Sequence, residues 1–401
     1  MSLSSPVAAL EIGTTRTVIA IGEPRPDGQL EITALGAIPS SGVRKSQIID
    51  VGQARYSVEA VLRKLEDQWG YSIGQACLAV SGPQIRTTAV NTQWQVQHGV
   101  VHDDDIAEVD SRAYDTGLPP DRTPLELSQI AYGLDDIDNI ASPKGMRGSL
   151  LRLRSLCIHG DARRIEDARN AAVGAKLEIT EPSFAGTCAA NAVLTPQNKR
   201  DGVLSIDLGG GSTSYTAWID GKLVHAGVIG VGGDHVTNDI RIAFSISRAQ
   251  AEQLKTTAAS AIISPDDAGV RVTIPSTTPG FTAASISRRA LNTVVNARLR
   301  ELFTIIRTKL DEADLIHRLN AGVVLSGGAS ACTNIVPLAA AIFGRDVRIG
   351  TLIPEITGLD QNENPAACAT VAGLLLQAQS GDPSRSFLDT VKNMFGGFFK
   401  K

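Results

Sequence analysis

The chain is short of the residues that build the commoner reactive centres. Its five cysteines, Cys77, Cys157, Cys188, Cys332 and Cys368, are odd in number, scattered through 401 residues and never in C-x-x-C spacing. That excludes a disulfide scaffold and a cysteine zinc site, and leaves small buried hydrophobes of a reducing compartment. The six histidines are dispersed, so a histidine metal centre has no basis, and His159 in Cys157-Ile-His-Gly160 reads as structural. Basic charge is not in surplus: 38 Lys and Arg stand against 42 Asp and Glu, for a net charge of −4, which argues against nucleic acid as the main partner. No apolar run reaches the roughly 18–20 residues that cross a bilayer; the longest, Ala366 to Leu376, suits a buried helix. Met1 to Pro6 is polar and uncharged, unlike a signal peptide. A cytosolic chain is expected, with a qualification for its last residues. No short-period repeat is present.

What is there is ordinary in bulk and specific in detail. An apolar fraction of 43% and a charged fraction of 20% suit a soluble globular chain long enough for two cores. Two loops then stand out, Glu11-Ile-Gly-Thr-Thr-Arg16 and Asp207-Leu-Gly-Gly-Gly-Ser-Thr213. Each follows a short apolar run, Val7 to Leu10 and Val203 to Ile206, and precedes another, Thr17 to Ile21 and Ser214 to Ile219. Both therefore read as strand–tight turn–strand hairpins with an acid at the start of the turn. Glycines let the backbone approach a phosphate, consecutive N–H groups form an anion nest, hydroxyls add donors, and a carboxylate suits Mg²⁺ held through water. A single such loop reads better as a plain turn. The pair is joined by a third element, Val323-Val-Leu-Ser-Gly-Gly-Ala-Ser330, a strand running into paired glycines ahead of a helix at Ile335 to Phe343. Together they point to a nucleotide clamped between two halves.

The rest of the chain supports two α/β halves with insertions. Strand and helix patterns alternate to Pro83. Residues 84–160 then change texture, with a polar strand at Thr87 to Val96 and three acids, Asp103 to Asp105, that read as a helix N-terminus facing the macrodipole rather than a metal site. A helix over Arg163 to Val173 and a strand into Pro182 resume the alternation. A β-rich stretch follows at 200–230, then a polar insertion with Pro/Ser/Thr-rich joints at 262–280. Ser287 opens a long amphipathic helix with Leu291, Val295, Leu299, Leu302, Ile306 and Leu310 on its apolar face.

The two hairpins, the Gly-Gly loop and the paired insertions resemble the actin/Hsp70/sugar-kinase superfamily, and along nearly its whole length the chain resembles its FtsA family of bacterial cell division. The stretches that carry this are Leu10-Glu-Ile-Gly-Thr-Thr15, Gly42-Val-Arg-Lys45 with Ile48-Ile-Asp50, Val80-Ser-Gly-Pro-Gln-Ile85, Asp207-Leu-Gly-Gly-Gly211, Gly232-Gly-Asp-His-Val-Thr237, Ile286-Ser-Arg-Arg289 and Leu325-Ser-Gly-Gly-Ala329. Ser142-Pro-Lys-Gly-Met-Arg-Gly148 is similar to an Asn-Pro-x-Gly-Met-x-Gly signature, with Ser142 in place of Asn. Glu11 where most of the superfamily has Asp is the FtsA habit, whereas Arg16 replaces the usual Lys, a departure that bears on phosphate geometry.

The resemblance implies a duplicated, ribonuclease H-like, actin-like α/β fold around a nucleotide cleft. Subdomain 1A would be 1–83 and 161–195, with 1C at 84–160. Subdomain 2A would be 200–230 and 306–378, with 2B at 231–305. ATP would bind with Mg²⁺. Thr14, Thr15 and Arg16 would meet its β/γ-phosphates from one side and Gly209, Gly210, Gly211 and Ser212 from the other, while Glu11 and Asp207 hold the hydration shell of the metal. Glu252 and Lys255, three apart on a helix, read from pattern alone as a surface ion pair; the resemblance makes them contacts to ribose and adenine, with Gly327, Gly328 and Ala329 as the opposite wall. At most a weak ATPase is implied. No His or Gln stands out to position the attacking water, and Thr187, at the expected hinge Phe184-Ala-Gly-Thr-Cys188, is put forward for that task. The implied partners are further copies of the chain in a protofilament, other division proteins and the C-terminal peptide of FtsZ, received near Arg288, Arg289 and Arg298; a solvated helix face explains those arginines equally well.

The end of the chain carries a separate signal. Phe387, Leu388, Val391, Met394, Phe395, Phe398 and Phe399 fall on one helical stripe, beside Lys392, Lys400 and Lys401, after a linker at 379–385. The pattern reads as an interfacial anchor for an anionic membrane or as a terminal helix packed on its own core. The resemblance favours the anchor, at the cytoplasmic face of the cell membrane at the division site. Gly396 and Gly397 cost helix stability, about 1 kcal/mol each, and one such helix holds reversibly unless a filament adds avidity. Two other readings stay open: a soluble sugar-kinase-like phosphotransferase, and a pilus-assembly adaptor of the PilM type.

Overall fold

The computed structural model describes residues 6–114, 117–275 and 284–380. All ten residues expected to form the membrane stripe, Phe387 to Lys401, lie outside them, as does most of the linker.

The chain opens with β1 (Val7–Ile12), β2 (Arg16–Pro24) and β3 (Leu30–Pro39), then a small hairpin of β4 (Val43–Arg44) and β5 (Gln47–Ile48). Next come α1 (Val51–Trp69), which Asp50 caps by accepting from Gln53 N and Gly70 ends at φ +83°, and β6 (Gln75–Val80). The inserted unit is β7 (Arg86–Gln95), α2 (Asp103–Tyr114), β8 (Arg122–Leu134), β9 (Ile137–Ile140) and β10 (Leu150–Asp161). Its strands form an antiparallel sheet ordered β7-β10-β8-β9 around a small core of its own that includes Val101, Val109, Leu134 and Leu151. Asp105 accepts from Trp94 Nε1 and His102 N, both at 2.9 Å. The acids at 103–105 thus form the first turn of a helix, and Asp105 bonds back to the backbone ahead of it.

The chain returns through α3 (Ala162–Gly174), β11 (Glu178–Phe184), α4 (Ala185–Val193) and α5 (Pro196–Asp201). The second half follows as β12 (Val203–Leu208), β13 (Thr213–Ile219), β14 (Lys222–Ile229), α6 (Gly233–Phe244), α7 (Arg248–Thr257), the short pair β15 (Arg271–Thr273) and β16 (Ser285–Ser287), and α8 (Arg288–Glu312). Last are β17 (Val323–Ser326), α9 (Ile335–Phe343), β18 (Val347–Ile349), β19 (Ile356–Thr357) and α10 (Pro365–Ser380).

The two large sheets repeat one plan. In the first, ordered β11-β6-β1-β2-β3-β19, β1–β2–β3 is an antiparallel meander and β6 and β11 add in parallel beyond β1. In the second, ordered β14-β13-β12-β17-β18, β12–β13–β14 is the meander and β17 and β18 add in parallel beyond β12. The central strands are buried almost throughout, as strands covered by helices on both faces must be. In α8 the six apolar residues picked out by their spacing are all buried, joined by Asn292 and Phe303.

The expected division of the second half needs two corrections. The boundary at 305/306 cuts α8, one unbroken helix over Arg288–Glu312. Residues after 350 do not stay in the second half. β19 pairs with β3 in the first sheet, and Ile353, Ile356 and the inner faces of α10 join the first half's core. The reason is the composition of α10, which buries Ala366, Cys368, Ala369, Val371, Ala372, Leu374, Leu375 and Ala378. A helix apolar on nearly every side needs a slot between elements, and the one it fills lies against α4, β1 and β2.

Candidate functional site

The tips of the two hairpins meet across the interface of the halves. Pairing stops at Ile12↔Thr17 in one and Leu208↔Thr213 in the other. This leaves Gly13–Thr15 and Gly209–Ser212 as turns. They interleave closely enough to demand glycine: a Cβ on Gly210 would collide with Thr15 Oγ1, and one on Gly211 with Thr14 Oγ1 and Lys45 Cα. One cleft results, lined by Glu11, Thr14, Thr15, Arg16, Asp207, Gly209, Gly210, Glu252, Lys255, Gly327, Gly328 and Ala329. Twelve of the residues expected around phosphate, metal and nucleoside are therefore brought together, from stretches more than 300 residues apart.

Gly211 and Ser212 turn away from this lining. Ser212 Oγ lies 2.8 Å from Ser46 Oγ, and Ser46 N donates to Thr14 Oγ1 at 2.7 Å. Ser81 Oγ lies 3.4 Å from Ser212 Oγ and 3.0 Å from Ser214 Oγ, so a chain of hydroxyls ties the two halves behind the hairpin tips. Lys45 and Ser46, at φ +50° and +55°, form the turn that reaches across; two non-glycine residues in the left-handed region are the kind of local strain that gathers at functional sites.

At the floor of the cleft, burial first and the Asp207 carboxylate second push Glu11 up to about 7, against the opposing pull of Arg16. Burial likewise pushes Asp207 up to about 6, although Ser326 Oγ donates to it at 3.2 Å. Two carboxylates in one enclosed site are short of positive charge. Arg16 is turned partly aside, donating to Ala367 O at 3.4 Å. Among the described residues no group of three or more His, Cys, Asp or Glu side chains could hold a metal ion. A hydrated Mg²⁺ shared with phosphate oxygens fits such a pair of acids; a dehydrated ion caged by protein does not.

At the other end of the cleft, α6 and α7 present a compact triad. Lys255 Nζ donates to Glu252 Oε2 at 2.7 Å and to Thr237 Oγ1 at 2.9 Å, while the Thr237 hydroxyl donates to Glu252 at 2.5 Å. Burial acts to raise Glu252, but the hydrogen bonds from Lys255 and Thr237 carry it below the usual carboxylate range. The pair is thus held for the cleft, with the Lys255 side chain only 16% exposed. Sequence reading missed Thr237, although it closes the quoted Gly232–Thr237 stretch, because its contact with Glu252 spans 15 residues. Asp234, Thr256, Leu299, Cys332 and Thr370 also line the cleft, a place the sequence did not assign them.

Thr187 does not reach the cleft. It is buried in α4 with its hydroxyl unpartnered, because that stretch of helix is packed on all sides. The arginines expected near a partner peptide differ from one another. Arg288 Nε donates to Asp267 Oδ1 at 2.7 Å, Arg298 Nε donates to Asp239 Oδ2 at 2.6 Å, and Arg289 is exposed.

The family description "Cell division protein FtsA" matches residues 204–373, and "SHS2 domain inserted in FTSA" matches residues 82–159. The chain is similar to the cell division protein FtsA of Pseudomonas aeruginosa, at 30% identity over 384 residues that cover 95% of this chain and 91% of that one. Among solved structures it is similar to a PilM–PilN type IV pilus biogenesis complex, with a TM-score of 0.66 at 13% identity, covering 92% of this chain and 98% of that one. It is similar also to MreB5 of Spiroplasma citri bound to ADP, with a TM-score of 0.53 at 14% identity and 98% of both chains covered. At such identities the structural likeness speaks for the fold alone.

Proposed function

The chain belongs to the FtsA family of actin-like cell-division proteins, and from that premise we propose that it binds ATP with Mg²⁺ between its halves, polymerises at the cytoplasmic membrane and anchors the FtsZ ring there. The observation that carries the nucleotide part is the meeting of both carboxylate hairpins, the Glu252–Lys255 pair and the Gly327–Ala329 wall on one cleft. Thr14, Thr15, Gly209 and Gly210 are the phosphate donors in this reading, with Gly211 and Ser212 bracing the second hairpin. Lys255, Glu252 and the small wall residues take the nucleoside. Glu11 and Asp207 would hold Mg²⁺ through water, and the cation would neutralise phosphate charge there. MreB5, a fold neighbour, is recorded with ADP and with AMPPNP, which supports a nucleotide in this cleft.

Of the three arginines expected to receive the FtsZ tail, Arg289 at the start of α8 is exposed, while Arg288 and Arg298 are already paired with acids. Among the described residues no helix is long and apolar enough to cross a membrane, so attachment falls to the aromatic stripe of residues 387–399. Self-association follows from family membership and would supply the avidity that a single short anchor lacks.

The test is co-sedimentation with anionic vesicles and Mg-ATP, comparing the intact chain with one ending at Arg385 and adding the FtsZ C-terminal peptide. The expected result is that only the intact chain pellets and carries the peptide down with it. Both forms staying in solution would sink the membrane reading; pelleting without the peptide would sink the FtsZ reading.

A further inference from the structure

Behind the first hairpin lies a second, much smaller space. It has a volume of about 40 Å³, and its polar walls are Glu11, Ser46, Gln47, Ser81, Gln84 and Arg164. A buried water needs roughly 10–15 Å³ of such volume and two to four polar partners. The chamber therefore has room for a few waters and none for an organic ligand. It shares Glu11 and Gly13 with the nucleotide cleft and none of Glu252, Lys255 or Gly327–Ala329. It thus adjoins the phosphate end. Ser46, on its wall, is tied to Thr14 of the first hairpin and to Ser212 of the second.

The two glutamines of the chamber are not equivalent. Gln84 is engaged at both ends of its amide: its Nε2 donates to Ser81 O at 2.7 Å, and its Oε1 accepts from Gln47 Nε2 at 3.0 Å. That second bond fixes the Gln47 carboxamide, and no hydrogen bond among the described residues is made to Gln47 Oε1. A fixed amide with one open acceptor beside a water-sized chamber is a device for orienting water.

We propose that this chamber holds the water that hydrolyses a bound nucleoside triphosphate, with Gln47 as the residue that orients it and Gln84 as the residue that positions Gln47. The proposal rests on the reading of the main cleft as an ATP site and adds to it the place and partner of the attacking water. One O–H of the water donates to Gln47 Oε1, which turns an oxygen lone pair toward the γ-phosphorus. A bond forms from that oxygen to phosphorus, and the bond from phosphorus to the β,γ-bridging oxygen breaks, its electron pair leaving with ADP. The remaining water proton passes to a γ-phosphoryl oxygen, so the products are ADP and inorganic phosphate. Gln47 opens β5 directly after the left-handed Lys45–Ser46 turn. The strain of that turn therefore acquires a purpose: it carries Ser46 and Gln47 together to the chamber wall.

The experiment uses the full chain in excess over Mg-ATP, reading single-turnover hydrolysis, with affinity measured separately by a non-hydrolysable ATP analogue. Gln47→Ala is expected to slow hydrolysis about 10- to 100-fold, the scale of a misplaced reactant, with affinity changed less than about twofold. Gln84→Ala, which removes the partner that fixes the Gln47 carboxamide but leaves the carboxamide in place, is expected to slow hydrolysis by a smaller factor than Gln47→Ala, again with little change in affinity. The proposal is overturned if rate and affinity fall together, if Gln47→Ala leaves the rate unchanged, or if Gln84→Ala has no effect on the rate. Tight binding without any turnover by the intact chain overturns the chamber alone. Absence of binding overturns the ATP reading beneath it.

Discussion

Glu11 and Asp207 hold protons more tightly in the folded chain than they would in an unfolded one. Glu11 rises from 4.5 to about 7 and Asp207 from 3.8 to about 6, through burial first and, for Glu11, the neighbouring acid second. A raised carboxylate contributes stability that is complete below its unfolded value and drains away as pH climbs through its folded value. The nucleotide-free chain should therefore melt at progressively lower temperature between about pH 4 and pH 7 on account of this pair. Glu11→Gln should flatten much of that slope and melt above the parent chain at pH 7.5, while losing the benefit of Mg²⁺ for nucleotide binding. A pH series of thermal unfolding with and without Mg-ATP checks both; equal slopes for parent and variant would refute the account. These acids were legible because each opens a local hairpin motif. Ser326, which donates to Asp207 across 119 residues, and Gln47, whose partner lies 37 residues away, were not. Ser326 stands inside the singled-out Val323–Ser330 stretch but nothing there names Asp207 as its partner, and Gln47 has no mark at all in its immediate sequence; only the fold supplies the partner.

At the scale of elements, periodicity served well where one face decides the outcome. Ser287 caps α8 by accepting from Ala290 N, and the stripe that follows is buried as its spacing requires. It served poorly for α10, whose apolar residues surround the helix and name no particular neighbour. What fixes α10 is a glycine. Gly373 lies so close to the backbone carbonyl of Cys188 in α4 that no Cβ fits between them. Gly373→Ala must push the two helices apart, and overpacking of this kind costs about 1–3 kcal/mol. The expected readout is a lower urea midpoint with an unchanged slope. An unaltered midpoint would show that α10 can slide without cost.

For the molecule as a whole, the duplicated plan was legible in the repeat of acid, glycines and hydroxyls at two widely separated points. The allocation of the last thirty or so described residues was not, because chain order says nothing about which core a late helix rejoins. That return means the halves are not independent. Val203, Trp218, Ala226 and Val324 of the second half belong to the same apolar cluster as the core of the first. Mg-ATP spanning the cleft should accordingly raise one cooperative unfolding transition rather than the first of two, by about 2.7 kcal/mol at a hundredfold excess over Kd. Calorimetry reads this directly, and two transitions that respond separately would contradict it.

The crossing of α10 over α4 also settles where a mechanical load would enter. An attachment through residues 387–399, as proposed above, would pull on the end of α10, and α10 bears on α4 through the Gly373–Cys188 approach. The opposite side of α4 rests on β12 and β13 of the second half. Under the attachment proposed above, tension would therefore reach the contact between the two halves at α4, so that a molecule under load and one at rest need not hold their cleft equally open.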